Sequence, residues 1–307
     1  MRKLLPLLLA AWIPACDQPA PAAKAPATPE PEPAAQPVVP PLADATTLAP
    51  SNTCMECHAD AHSAWAESHH ALAHRNTGSS MEALAFADQI VRSGDAEWTF
   101  SGGAENPNVA WRDGDESITG KPPMAIGLTP LVQYLVDIGN GRYQVPDMAW
   151  DPAKNEWFSI YENQNRRPNE WGHWRNRGMN WNSMCAYCHF TGLRKNHDIK
   201  DDSYHTSWVE QGVGCAQCHG PDRPDVRPGE CRIAPERQKF TKEQWTHNCA
   251  TCHARRGEFD EKFITGRSIH DHYTLSLPDQ EGLWHPDGQQ LDEIYNFNSL
   301  MFSRMGH

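Results

Sequence analysis

The stretch Gly212-Val213-Gly214-Cys215-Ala216-Gln217-Cys218-His219-Gly220-Pro221 decides how the rest of the chain is read. Its core, Cys-x-x-Cys-His, is the attachment sequence of a c-type haem. Two thiols add to the porphyrin vinyl groups, and the adjacent imidazole is set against the iron as its proximal ligand. Three more copies occur: Cys54, Cys57 and His58; Cys185, Cys188 and His189; Cys249, Cys252 and His253. Paired thiols also suit a tetrahedral zinc, and a single copy would leave that choice open. Four copies, each with His directly after the second Cys, point to four covalently bound haem c groups. The intervals from His189 to His219 and from His219 to His253 are 30 and 34 residues, so little protein can separate the last three cofactors. Close porphyrins are what an electron wire requires.

The remaining composition fits that reading. Of ten Cys the motifs use eight, leaving Cys16 and Cys231, which a long segment separates. Sixteen His are present, so beyond the four proximal ligands there is a pool for sixth iron ligands. Apolar residues are only 39% while Trp numbers twelve. The expectation is that buried haems substitute for missing core side chains, with aromatic rings packed on porphyrin edges. The formal net charge is −12, and removal of Arg2 and Lys3 with a leader leaves 25 basic against 39 acidic residues, near −14. That balance argues against nucleic acid and for redox partner proteins presenting a basic docking patch.

Residues 1–15 read as a cationic and then apolar leader, too short to span a bilayer as a stable helix. It ends Ile13-Pro14-Ala15-Cys16, which resembles a lipoprotein signal with Cys16 as the lipidated residue; ordinary secretory cleavage near Ala15 is the alternative. Both place the protein outside the cytoplasm, and the lipidated form would be anchored to a bacterial membrane facing the periplasm. Residues 16–50 are rich in Ala and Pro and lack an apolar period, the composition of a disordered tether. Fully extended, such a tether reaches roughly 100 Å at ~3.1 Å per residue. An ordered domain is expected over 51–307. A helix is predicted over 59–74, with His62, Trp65 and His69 on one face and His70 and His74 on a second stripe. An antiparallel β insert is predicted at about 92–162. It includes strands at Glu97-Trp98-Thr99-Phe100, at Val109-Ala110-Trp111-Arg112 and at 157–161, and a hairpin of 131–138 with 142–150 around Gly139-Asn140-Gly141. The expected fold class is mainly α with irregular loops, carrying this small insert.

With all four motifs in view, the chain resembles the multihaem cytochromes of the cytochrome c-554 family. The stretch TCMECHADAHSAWAESHHALAH is similar to that family's first haem segment, and MCAYCHFTG, GVGCAQCHGP and NCATCHARR are similar to the next three. The likeness covers about 51–75 and 180–300. The insert resembles that of longer multihaem relatives, and Met305-Gly306-His307 falls about where such relatives run on, as expected of a fragment or a shortened member. The resemblance implies that His70, in Ser-x-His-Ala, is the sixth ligand of the iron held by His219; the two-stripe helix points the same way. It implies that His272 or His285 serves the iron held by His253. Haem 2 is often left without a strong sixth ligand in the family, with His173 a candidate here. The His that would serve haem 1 is absent from PDRPDVRPGECRIAPER, which holds Cys231 instead. That iron is ligated from elsewhere, open, or served by Cys231, which is otherwise a free buried thiol. The implied function is electron transport between redox partners. The alternative is reduction of nitrogen or sulfur oxyanions at an open haem, although no Cys-x-x-Cys-Lys motif occurs.

Overall fold

A computed structural model describes residues 48–161, 164, 166–220, 240–292 and 295–306. The leader, Cys16, nearly all of the Ala/Pro-rich segment and Cys231 lie outside the described residues.

Helix α1 (Ala59–Ala66) follows the first haem motif directly, but it is half the predicted length. Tertiary bonds stop it. Ser68 N donates to Trp65 O at 2.8 Å, which tightens the last turn, and Ser68 Oγ accepts from Ala71 N. The His70 carbonyl is then taken by Val213 N at 2.8 Å. Backbone groups paired to a distant segment are not available to continue a helix. The stripe geometry expected for His69 and His70 ends with it, and His74 lies in strand β1 (His74–Asn76) instead.

The insert begins slightly earlier than predicted. Strands β2 (Gln89–Ser93), β3 (Ala96–Ser101), β4 (Asn108–Asp113) and β5 (Glu116–Gly120) form an antiparallel meander. Side chains alternate across a strand, so β3 buries Trp98 and Phe100 while β4 buries Val109 and Trp111. The register sets Trp98 opposite Trp111 and Phe100 opposite Val109. Gly94 and Gly114, at φ 60° and 56°, open the two-residue loops of the first and last hairpins. β6 (Met124–Ile126) pairs with both β1 and β7 (Gln133–Tyr134). The predicted hairpin around Gly139-Asn140-Gly141 is present as β8 (Val136–Asp137) and β9 (Tyr143–Gln144), followed by the pair β10 (Met148–Asp151) and β11 (Glu156–Ser159).

These strands enclose an aromatic core of Phe86, Trp98, Phe100, Trp111, Tyr134, Trp150, Trp157 and Trp174. Five of the twelve tryptophans are therefore spent on packing the insert against itself, not on porphyrin edges. Trp157 stacks on Phe100 with ring centres 3.5 Å apart, and its Nε1 donates to Ala85 O at 2.8 Å.

The fold class differs from the expectation. The chain is 23% helix and 26% strand, with many small antiparallel sheets, and so is not mainly α. The haem motifs demand only one helical turn each, as in α2 (Ala186–His189) and α3 (Cys215–His219). Longer helices are α4 (Lys242–His253) and α5 (Asn296–Phe302). The connections satisfy their backbone groups by pairing into short two-stranded pieces: Phe190–Thr191 with Glu210–Gln211, His197–Asp198 with Ser203–Tyr204, and Arg256–Glu258 with Tyr273–Leu275.

Candidate haem sites

Each motif sits where a helical turn brings its two thiols to one side. Positions i and i+3 are neighbours on a helix, and the His that follows is carried round beside them. His58 N bonds Cys54 O at 3.0 Å, and His58 then caps α1. Motif 3 is α3 itself, and motif 4 is the end of α4. The start of α4 is fixed by a reciprocal cap: Thr241 Oγ1 accepts from Gln244 N, and Gln244 Oε1 accepts from Thr241 N.

The motifs meet in pairs. Ser51 donates to the Glu210 carboxylate from both N and Oγ, and its Oγ accepts from Cys215 N at 2.9 Å. Motif 1 is thereby buttoned to motif 3. The Cys54 thiol is raised by burial and by neighbouring Cys215. Motifs 2 and 4 touch directly, with Cys188 Sγ 3.9 Å from Cys252 O. The Cys188 contact and burial hold the Cys252 thiol well above its usual range. Cys218 links the pairs, pushed up to about 11 by burial and by Cys249 and Cys252.

The imidazoles are set by surrounding groups. His189 Nδ1 lies 3.0 Å from Ala73 O, so that nitrogen carries the proton and Nε2 is left as a lone-pair donor. Burial lowers the His189 pKa against the pull of that carbonyl, and the ring is kept neutral, the form that binds a metal. His74, fully buried beside it at 6.4 Å between ring centres, accepts from Trp181 Nε1 at 3.0 Å. Burial, then His189 and Arg75, push His74 down to about 2. Trp181 holds His74 Nε2, and His74 Nδ1 has no hydrogen-bond partner among the described residues. His219 lies against Trp245 at 5.6 Å, and its pKa is lowered by burial and then by His58. His253 faces His70, ring centres 6.2 Å apart. Metal–imidazole bonds of about 2 Å place two rings on one metal about 6 Å apart, so this is the spacing of a bis-His iron.

These residues fit haem. None of the eight motif cysteines is tied up in a disulfide. A cavity of about 620 Å³ opens beside Cys249 and His253, walled by Phe297, Leu300 and Met305, an apolar cradle suited to a flat macrocycle.

The family model described as "Cytochrome c554 and c-prime" matches residues 151–220, the span holding motifs 2 and 3. That span, together with the four attachment motifs, is what this chain shares with the multihaem cytochromes c. Its fold is similar to that of the outer cell wall cytochrome OcwA, with a TM-score of 0.50 and 20% sequence identity over 79% of this chain. The match takes in 48% of OcwA, so this chain spans about half the length of that structure. No curated protein sequence matches it.

The structure distributes the candidate sixth ligands differently from the sequence expectation. His70 meets His253, whereas the His219 ring meets Trp245. His272 is buried, with Nδ1 2.8 Å from the Asp260 carboxylate and Nε2 without a partner, the carboxylate–imidazole arrangement of an oriented metal ligand. The adjacent Tyr273 reaches Tyr187 of motif 2. His285 is exposed near the end of the described chain. His173 lies against Trp174 and lines a cavity of the β insert. Sequence reasoning missed Ala73, Ser51, Glu210 and Trp245. Ala73 acts through a backbone carbonyl, which leaves no signature, and Ser51 and Glu210 are 159 residues apart.

One glycine matters to this assembly. Gly212, at φ +81°, carries the chain into motif 3, and a Cβ there would stand 2.3 Å from Ala71 O. Gly212→Ala is expected to lower stability by about 2–3 kcal/mol. Gly114→Ala, also at positive φ but facing open space, is expected to cost about 1 kcal/mol. Urea unfolding midpoints of the two variants check the difference.

Proposed function

We propose that this cytochrome carries electrons between redox partner proteins through four haems in two close pairs, motifs 1 with 3 and 2 with 4. The observation that carries the reading is the close approach of the motifs: Ser51, three residues before motif 1, accepts from Cys215 N of motif 3, and Cys188 of motif 2 touches Cys252 of motif 4. Thiols this close hold their porphyrins near one another, and an electron can then pass with no bond made or broken. The protein's part is to fix the imidazoles: Ala73 O sets the tautomer of His189, and burial lowers the pKa of His189, His219 and His253 and favours their neutral form. Bis-His ligation, as for His253 with His70, lacks the potential-raising Met ligand and suits a low-potential chain.

The leader and the Pro-rich stretch support a periplasm-facing protein, lipid-anchored through Cys16 and held off the membrane by residues 16–50. The acidic balance suits partners with a basic docking patch and disfavours nucleic acid. Among the described residues no helix is long and apolar enough to cross a membrane. Cys16→Ala is expected to move the protein from the membrane fraction to the soluble periplasm; wild type already in the soluble fraction would contradict the anchor. A reductive titration followed in the visible spectrum tests the carrier reading. Four electrons per chain and no sustained consumption of nitrite or hydroxylamine are expected. Steady turnover of either compound would replace the carrier with a reductase.

A further inference from the structure

The two motif junctions carry opposite charges. Where motif 2 meets motif 4, the charged group is Arg256. Its Nε donates to Thr251 O, inside motif 4, at 2.6 Å. Its guanidinium lies 5.1 Å from the ring centre of Tyr187, inside motif 2, and 3.9 Å from that of Tyr273. Pairing of Arg256–Glu258 with Tyr273–Leu275 sets Arg256 opposite Leu275, and so diagonal to Tyr273 on one face. The Arg256 side chain is only 11% exposed. Where motif 1 meets motif 3, the charged group is Glu210. Both of its carboxylate oxygens accept from Ser51, whose Oγ in turn accepts from Cys215 N of motif 3.

Removing a charge from water is costly, and an Arg cannot avoid that cost by losing its proton. The carboxylate that pairs with Arg256, Glu258, stands at 3.7 Å and gives its other oxygen to Lys195 at 2.7 Å. Arg256 therefore does not spend its field on one tight ion pair. That field reaches the attachment thiols: Cys188 is lowered by its Cys252 contact and by Arg256, and on Cys252 the charge opposes the upward push of the Cys188 contact and burial. At the other junction the sign is reversed. Burial and Cys215 raise the Cys54 thiol, and Glu210 adds to that rise. Reduction adds one electron to a ferric iron, supplied by a reduced partner protein, and removes one unit of positive charge. A fixed cation nearby favours that step, and a fixed anion opposes it.

We propose that Arg256 and Glu210 give the chain a direction. The haems of motifs 2 and 4 are the higher-potential pair, those of motifs 1 and 3 the lower, and electrons entering at motifs 1 and 3 collect at motifs 2 and 4. Each transfer between the pairs takes one electron from a ferrous iron and gives it to a ferric one, with no bond or proton moved. This inference rests on the carrier reading and its two haem pairs. The electron count of the wild type tests that reading, and the sign of the shifts in charge variants tests this one.

The test is a spectroelectrochemical titration of the haem-loaded full chain, resolved into four one-electron couples. Arg256→Gln is expected to shift the two upper couples against reduction by about 3- to 10-fold in equilibrium constant, the order for one half-buried charge at an effective dielectric of about 20. Tenfold corresponds to about 59 mV for a one-electron couple. Arg256→Lys keeps the charge but loses the planar fork, and is expected to stay within about 2-fold of wild type. Glu210→Gln is expected to shift the two lower couples toward reduction by about 3- to 10-fold. Arg255→Gln is the control, because that guanidinium turns to Asp292 near the surface; it is expected to move no couple by more than about 2-fold. The mass of each denatured variant counts its haems. If Arg256→Gln fails to load four, Glu210→Gln decides, and the reverse; if neither loads four, Glu258→Gln decides by shifting the upper couples toward reduction or not. The inference is overturned if a charge variant leaves all four couples in place, moves them with the opposite sign, or moves the other pair instead. It is also overturned if Arg256→Lys or Arg255→Gln shifts the upper couples as far as Arg256→Gln does, the mark of a merely structural role.

Discussion

Replacing His70 by Gly is expected to turn one haem high-spin and open it to carbon monoxide, and the haem affected is the one held by His253. The two imidazoles face each other with ring centres 6.2 Å apart, the spacing of two rings on one metal. His253 is the ring whose pKa is lowered by His70, after burial. Removing one imidazole leaves the iron a single strong axial ligand, and a small molecule can take the vacated position. His70→Met is expected to keep the iron low-spin and to raise its midpoint potential, since thioether ligation favours the reduced metal. Low-temperature electron paramagnetic resonance counts the high-spin irons, and carbon monoxide difference spectra count the open ones. An unchanged count in His70→Gly, together with a changed count in His69→Gly, would move the ligand to His69. A high-spin signal that appears in His70→Gly but belongs to the haem of a variant lacking Cys215 and Cys218 would return His70 to His219.

Trp157→Ala is expected to cost about 3–5 kcal/mol, the range for deleting a large buried aromatic. Trp157 is the keystone of the insert, stacked on Phe100, edged by Phe86, and in contact with Tyr134 and Trp150. Deletion also strips Ala85 O of its Nε1 donor. Trp157→Phe restores most of the volume but not that bond, and is expected to cost about 1–3 kcal/mol. Urea unfolding reads both, and the attached haem count should not change, because the thiols lie outside this core. A cost under about 1 kcal/mol for Trp157→Ala would mean that the insert is held by something other than its aromatic core.

What could be read in the sequence follows from where the physics is local. The motifs Cys54 to His58, Cys185 to His189, Cys215 to His219 and Cys249 to His253 are covalent chemistry written in five consecutive residues, so spacing alone identifies them. The hairpin at Gly139-Asn140-Gly141 was equally legible, because all three residues take positive φ and this composition suits that. Strands β2 and β5 were missed: QIVRS and ESITG are too polar to announce themselves, and they form by pairing with the aromatic strands β3 and β4. The end of α1 was missed because Val213 captures the His70 carbonyl from far along the chain. For the same reason the partner of His70 could not be chosen from a helical wheel. Two imidazoles 183 residues apart in sequence meet because the motif pairs dock, and docking is set by Ser51 with Glu210 and by Cys188 with Cys252. Aromatic richness was visible, but its use was not. Trp98, Trp111, Trp150, Trp157 and Trp174 build a protein core, because one face of the meander had to be covered.

One chain is expected to hold four haems in a single docked cluster. The most direct measurement is the intact mass of the denatured protein after expression with a competent haem-maturation system, since thioether-bound haem survives denaturation. The expected mass is that of the chain plus four haems in wild type, and plus three in a variant lacking both Cys215 and Cys218. A wild-type mass with three or fewer haem additions would contradict it.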